Sequence, residues 1–405
     1  MIHLSLAALF LAANPALATE YHSGAVVSFE RQIDGPSGLF EGEVLNSPAL
    51  QWMAKLPGDP LNSATHSEYT RPVVSGDKIL IGSAAGKALY MLSRRDGGLI
   101  RTFPAASSVE SPPTVYKDRV YFADTGGYVW CYSLDGELQW SHLGNAPVLV
   151  QPTIADGMVY VTNVDDLGVA LNSKTGELEW RYQAKVDLTR EAELTLYAAP
   201  QAVLIGDDVL MGFSDGSLVA LDKMSGEVRW QRRVGEGRYP DLVAAPVHYG
   251  TDLLSSGYYQ PLVAIDIESK NVRWRVDAGA AAAVIVDDSS GKAIIYHPGS
   301  DGILRAISAL TGAEKWTWES GASGSLTMPV MTPAGVFIGS SDRGLYLLDA
   351  STGEELWRFH EAFILGGVSS APVAAGRQLL FVSNAGNLYA MISARPQPEK
   401  RPAWP

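Results

Sequence analysis

Side chains that could carry out chemistry are few in this chain, and they are scattered. The seven histidines, at positions 3, 22, 66, 142, 248, 297 and 360, show no spacing that would bring two of them onto one metal ion. There is no Gly-rich phosphate loop and no Gly-x-Ser-x-Gly nucleophile elbow. Asp165-Asp166 and Asp287-Asp288 offer the oxygen ligands that calcium takes, but neither pair sits in a ligand series, and both read as acidic turns. The single cysteine, Cys131, cannot form an internal disulfide. It lies in the apolar run Tyr128-Val129-Trp130-Cys131-Tyr132 and reads as a buried, inert thiol. The expectation is a chain with no catalytic residue, no metal site and no cofactor.

What does recur is a tryptophan at a fixed distance from a glycine turn. Leu348-Asp349-Ala350-Ser351-Thr352-Gly353-Glu354-Glu355-Leu356-Trp357 reads as a strand end, a tight turn and a new strand. Asp bonds its own backbone there, and Gly accepts a positive φ. The phrase returns as Asp135-Gly136-Glu137-Leu138-Gln139-Trp140 and Thr175-Gly176-Glu177-Leu178-Glu179-Trp180. It returns again as Ser225-Gly226-Glu227-Val228-Arg229-Trp230 and Thr311-Gly312-Ala313-Glu314-Lys315-Trp316. Two copies are worn: Lys270 stands for the Gly ahead of Trp274, and Arg101 stands for the Trp after Gly97. Successive anchors lie roughly 40–50 residues apart, the period of four-stranded propeller blades.

The rest of the chain fits that plan. Inner strands follow a proline, as at Pro246-Val247 and Pro329-Val330, and the Trp strand is outermost. Pro48-Ala49-Leu50-Gln51-Trp52 is a Trp strand with no partners before it, whereas the segment after Trp357 supplies three strands and no Trp strand. Joined, they make one more blade and remove both free edges. The expected fold is therefore all-β, an eight-bladed propeller of four-stranded antiparallel blades over 48–393, with seven blades if the worn first copy is misread. Trp52, Trp140, Trp180, Trp230, Trp274, Trp316 and Trp357 are read as structural, each packed between blades with its indole N–H bonded to backbone.

The ends are read separately. Residues 1–18 carry no Lys, Arg, Asp or Glu, and the nearly unbroken apolar run Leu4 to Ala13 is followed by Ala16-Leu17-Ala18, the pattern of a cleaved secretory signal. Residues 19–47 read as an extended segment and 394–405 as a disordered, Pro-rich tail. A net charge of −13 argues against nucleic acid and against an anionic membrane surface as partners.

The Leu-Asp-x-x-Thr/Ser-Gly-x-x-x-Trp pattern resembles the repeat named after pyrroloquinoline-quinone enzymes. The quinone-dependent alcohol dehydrogenases that share it carry a vicinal Cys-Cys ring and, in some, a haem motif; one cysteine matches neither. The chain more closely resembles the propeller subunit of the outer-membrane β-barrel assembly machinery, from about residue 45 to 393. The likeness is most specific from Glu227 through Trp230-Gln231-Arg232-Arg233 to Arg238-Tyr239-Pro240-Asp241 and Pro246.

That resemblance implies a non-enzymatic periplasmic scaffold that binds the barrel-forming subunit and acts on nascent outer-membrane proteins. It implies partner contacts at Leu188 and Arg190 in one loop and at Arg238 and Asp241 in the next; the family's second acidic position falls on Val243. The gap from Trp180 to Trp230 is the widest in the ring, which independently puts an insertion at 181–198. The family's acylated cysteine has no counterpart near Thr19, so no direct lipid anchor is expected, and association with the outer membrane would run through the partner. The alternative reading is a periplasmic quinoprotein-like oxidoreductase or small-ligand sensor, which would need Arg or Lys, an aromatic stack and a carboxylate pair converging on the central channel.

Overall fold

A computed structural model describes residues 47–57, 68, 70–184, 199–282, 284–288, 291–321, 324–360 and 367–393. The signal segment, the stretch 19–46 and the tail 394–405 read from the sequence lie outside the described residues. Within them, thirty-two strands form eight four-stranded antiparallel sheets, the propeller that the repeat predicts. Blades 1 to 7 span residues 73–104, 114–143, 153–183, 203–233, 247–276, 285–319 and 330–359. Blade 8 is composite: three strands within 373–393 are completed by Pro48–Lys55.

Burial follows position in the blade. The second and third strands are the most buried, and Gly335–Ser340 and Gly344–Leu348 are buried along their whole length because blades cover both their faces. The outermost strand alternates, as in Val228–Arg233, where Trp230 and Arg232 are half-buried and the residues between them exposed. The antiparallel order also sorts the connections. Hairpins joining first to second and third to fourth strands fall on one face of the ring, the turn face. Connections from second to third strand, and from one blade's fourth strand to the next blade's first, fall on the other, the loop face.

Neighbouring blades are joined at the turn face by one repeated contact. The indole N–H of Trp140 donates to Ser173 O at 3.1 Å, and Trp180, Trp274 and Trp316 donate to Lys223 O, Ala309 O and Ala350 O, each at 3.0 Å. Each acceptor belongs to the next blade's third-to-fourth turn. In three junctions the same carbonyl also accepts a tyrosine hydroxyl from the second strand, from Tyr121, Tyr160 and Tyr296, at 3.0–3.1 Å. Burial pushes the Tyr121 and Tyr160 hydroxyls up to about 12, so they remain donors. The ring of each Trp lies on the turn glycine. A Cβ built on Gly97, Gly176, Gly226, Gly312 or Gly353 would sit 2.6–2.8 Å from the indole, and all five have φ between +71° and +77°. Only glycine meets both conditions.

Opposite the Trp, the third strand places a small residue beside a bulge: Ala170, Ala220, Ala264 and Ala306 face Trp180, Trp230, Trp274 and Trp316. Cys131 takes that place opposite Trp140. It is fully buried, and burial raises its thiol to about 11, which agrees with an inert thiol.

Two junctions depart from the expected bond. At Trp230 the glycine is replaced by Lys270, which holds φ +62°, and its ammonium takes the turn carbonyl Ile267 O and lies 4.5 Å from the Trp230 ring. The indole therefore stacks on a cation instead of donating to the turn. Trp357 faces blade 8, whose third strand ends at Ser393 with no turn to a following strand, and among the described residues it has no such bond.

Closure is by strand pairing. Pro48 to Lys55 runs antiparallel to Asn387–Ser393, from Pro48↔Ser393 to Lys55↔Asn387. Arg94 of blade 1 clasps both parts of blade 8: its backbone carbonyl accepts Trp52 Nε1 at 3.2 Å, and its guanidinium donates to Gln378 Oε1 at 2.7 Å and to Ala375 O.

Removing a dock tests its contribution. Trp180→Ala is expected to lower unfolding free energy by about 3–5 kcal/mol, read by urea or thermal unfolding. Lys270→Gly should raise it by about 1 kcal/mol, because glycine relieves the left-handed backbone and reopens the dock for Trp230.

Candidate partner-binding face

The second of the loops singled out in the sequence leads from the outermost strand of blade 4 into blade 5, and so belongs to the loop face. Leu188 and Arg190 fall in 185–198, outside the described residues. The second loop, between Arg233 and Val247, is described throughout.

That loop is held close to the blades. Val234 N and Gly235 N both donate to Gly216 O, at 2.8 and 3.0 Å, and a Cβ on Gly235 would lie 1.8 Å from Pro240 O. Gln260 of blade 5 clamps it from the other side. Its Oε1 accepts Glu236 N at 2.8 Å, and its Nε2 donates to Glu236 O at 2.9 Å and Tyr239 O at 2.6 Å. Gln260 is itself buried, so these bonds lie out of competition with water.

The loop divides the expected site residues. Arg238 is exposed, with its guanidinium 5.4 Å from the Tyr239 ring centre. Asp241 is 1% exposed: after Pro240 the chain turns inward, Leu242 N bonds Phe213 O at 3.3 Å, and the Asp241 carbonyl packs against Gly257. Its carboxylate thus lies inside the blade junction. Val243 is buried too and packs with Ala281 and Tyr258.

The companions of Arg238 are aromatic, half-buried at Tyr239 and Tyr258 and exposed at Tyr259. Tyr239 and Tyr259 have ring centres 5.2 Å apart, and Tyr258 meets Tyr259 edge-on at 4.6 Å. Tyr259 is 56% exposed. Sequence reading passed over these tyrosines because they sit in different blades. The available signal was Gly257-Tyr258-Tyr259, where other blades have Ser214-Asp215-Gly216 or Ser300-Asp301-Gly302 at the same turn.

Of the acidic residues weighed for calcium, Asp166 serves the scaffold. Asp166 accepts Ser214 N at 2.8 Å and the Ser214 hydroxyl, tying blade 3 to blade 4. Among the described residues no three His, Cys, Asp or Glu side chains are grouped to hold a metal ion.

The fold defines a PQQ-like-repeat propeller, one face of which carries a closely held loop with exposed Arg238 and Tyr259. The family model described as outer membrane protein assembly factor BamB matches residues 44–151, 145–297 and 300–395, and the chain belongs to that family. It is similar to outer membrane protein assembly factor BamB of Burkholderia pseudomallei (strain K96243), 24% identical over 327 residues that cover 78% of this chain and 82% of the relative. Among solved structures it resembles BamB from Moraxella catarrhalis, with a TM-score of 0.71 and 17% identity, covering 85% of this chain and 100% of that one. It also resembles quinohemoprotein alcohol dehydrogenase from Comamonas testosteroni, with a TM-score of 0.66 and 14% identity over 94% of this chain and 80% of that one. At these identities the two structures speak for the fold alone.

On the same face lies a buried histidine. His297 of blade 6 is wholly buried; its Nε2–H donates to Ala278 O at 2.9 Å, and its Nδ1 has no partner. Burial, aided by Arg305 and opposed by Asp301, lowers its pKa to about 4. The unfolded chain takes up this proton near pH 6.5, and the folded chain only near pH 4. Stability is therefore expected to fall as pH drops through that window, by up to about 3 kcal/mol from this group. Urea unfolding at pH 7 and pH 4.5 checks it: His297→Gln should lose less stability than wild type between the two.

Proposed function

We propose that this protein is a non-enzymatic periplasmic scaffold that serves the assembly of outer-membrane β-barrel proteins by binding the barrel-forming subunit through the loop face of blades 3 to 5. Membership of the assembly-factor family supports the general role. The observation that carries the site is the Arg238–Tyr239–Tyr259 cluster, with Arg238 and Tyr259 exposed, held on the loop face by the Gln260 clamp. Arg and Tyr on a rigid base suit a binding hot spot, since little side-chain freedom is lost on contact. Leu188 and Arg190 supply the neighbouring half of the contact. Asp241 acts from within, by holding the loop, and not as a surface ligand.

Nascent outer-membrane chains are a further partner in this reading. Outermost strands present a free edge, and exposed apolar side chains line several of them, among them Leu138, Leu178, Val228 and Val272. An extended segment could add to such an edge by backbone pairing. Attachment to the outer membrane then runs through the barrel-forming subunit.

The test is an affinity pull-down from mildly solubilised envelope, with captured proteins identified by mass spectrometry. Wild type should bring down the barrel-forming subunit, and Arg190→Glu/Arg238→Glu and Tyr259→Ala should each reduce its recovery by tenfold or more. Retention of that subunit by all variants removes the site but keeps the function. Its absence with wild type removes the function.

A further inference from the structure

In seven of the eight blades the residue two positions ahead of the inner strand is described, and it lies at the loop-face end of the ring axis. Around the ring these are Arg71, Pro112, Gln151, Gln201, Ala245, Met328 and Ala371, ahead of Val73, Thr114, Thr153, Val203, Val247, Val330 and Val373. All seven are buried. One arc is polar and the facing arc is apolar.

Arg71 is the unusual member. It is 2% exposed, and its Nη2 donates to Gln151 Oε1 at 2.7 Å, reaching past blade 2 to blade 3. Its Nε and Nη1 have no hydrogen-bond partner. The other two polar members are tethered: Gln151 Nε2 donates to Pro113 O at 2.9 Å and Gln201 Nε2 to Thr153 Oγ1 at 3.0 Å. Among the described residues no carboxylate balances the guanidinium, and burial lowers its pKa to about 10, which leaves it charged at neutral pH. The nearest acid in the sequence, Glu68, is already held by Ser83 Oγ at 2.7 Å and Ala84 N at 2.8 Å.

A buried cation without a counter-charge is costly, and an apolar side chain of similar length would fill the position at less cost. Met328 shows that the ring accepts one. We propose that Arg71, with Gln151 and Gln201, forms an axial site for a small oxyanion, a carboxylate or a phosphate group, taken up from the loop face. The planar guanidinium and the amide donors suit oxygen anions. The facing Ala245, Met328 and Ala371 are buried and apolar and offer no second charge. Because Nε and Nη1 are out of contact with water, uptake is coupled to a small displacement of the side chains at the axis, and association is slower than diffusion.

The experiment uses the purified full chain in Tris-chloride, titrated in one arm with acetate and succinate and in the other with phosphate and sulfate. Calorimetry and thermal unfolding give the readouts. Wild type should bind one oxyanion per chain with a rise in Tm of several degrees, and the tighter arm assigns the source as organic acid or inorganic ion. Arg71→Met should show a Tm no lower than that of oxyanion-free wild type and at least tenfold weaker binding. No response of wild type in either arm, or an equal response from Arg71→Met, overturns the proposal. If Arg71→Met does not fold, the Arg71 Nε–H resonance of wild type decides: it shifts on titration if the site exists, and its failure to move overturns the site.

Discussion

The ring depends on one contact made again and again: an indole laid flat on the glycine of the next blade's turn, with its N–H on the turn carbonyl. The carbonyl has two lone pairs, and at three junctions a tryptophan and a tyrosine from the same blade fill both. The glycine is there for two separate reasons, a left-handed backbone and the absence of a Cβ where the indole sits. The bulge and small residue opposite each Trp belong to the same unit. They bring the third and fourth strands close enough for the indole to turn toward the neighbouring blade. Blades so joined need no common centre, which is how a chain of this length folds as one ring without a single large core.

This explains why the fold was legible. Glycine and tryptophan recur four residues apart, and local spacing survives in a sequence even where identity between copies is slight. The spacing hides the fact that the two do not contact each other. Trp140 docks on Gly176, the glycine of the following copy, and the motif is in effect half of one junction and half of the next. The composite blade was legible because its halves are complementary: a Trp strand without partners at one end, and three strands without a Trp strand at the other. Even the worn copies were informative. Lys270 and Arg101 mark places where a cation has taken over part of the dock, as the Lys270 ammonium over the Trp230 ring shows.

The candidate site was legible as a choice of connectors: the width of the Trp180–Trp230 gap pointed to one and the loop chemistry around Arg238 to the other, and topology puts the latter on the loop face. Depth was not legible. Asp241 and Arg238 are three residues apart and look equally polar, yet Pro240 and the approach of Gly257 send one inside and leave the other in solvent. The tyrosines were invisible for a related reason. Tyr239 and Tyr259 are twenty positions apart in different blades, and no linear pattern joins them. A lone arginine in Thr70-Arg71-Pro72 likewise gives no hint that it enters the ring axis unaccompanied by an acid.

The two faces are coupled at the junction of blades 4 and 5. On the turn face this is the junction with Lys270 in place of glycine, where Trp230 gives up its bond to the turn. On the loop face of the same junction, Gln260 places three hydrogen bonds from blade 5 onto the connector out of blade 4. Arg232 adds a fourth tie, from the outer strand of blade 4 to Lys270 O. The junction is thus held more by polar clamps and less by an aromatic dock than its neighbours are. The clamp that restores the joint also fixes the backbone under Tyr239, and with it the orientation of Arg238 and the packing of Tyr259. Rigidity of the Arg238–Tyr239–Tyr259 cluster follows from how this junction is repaired, at the one complete blade pair whose glycine dock is replaced.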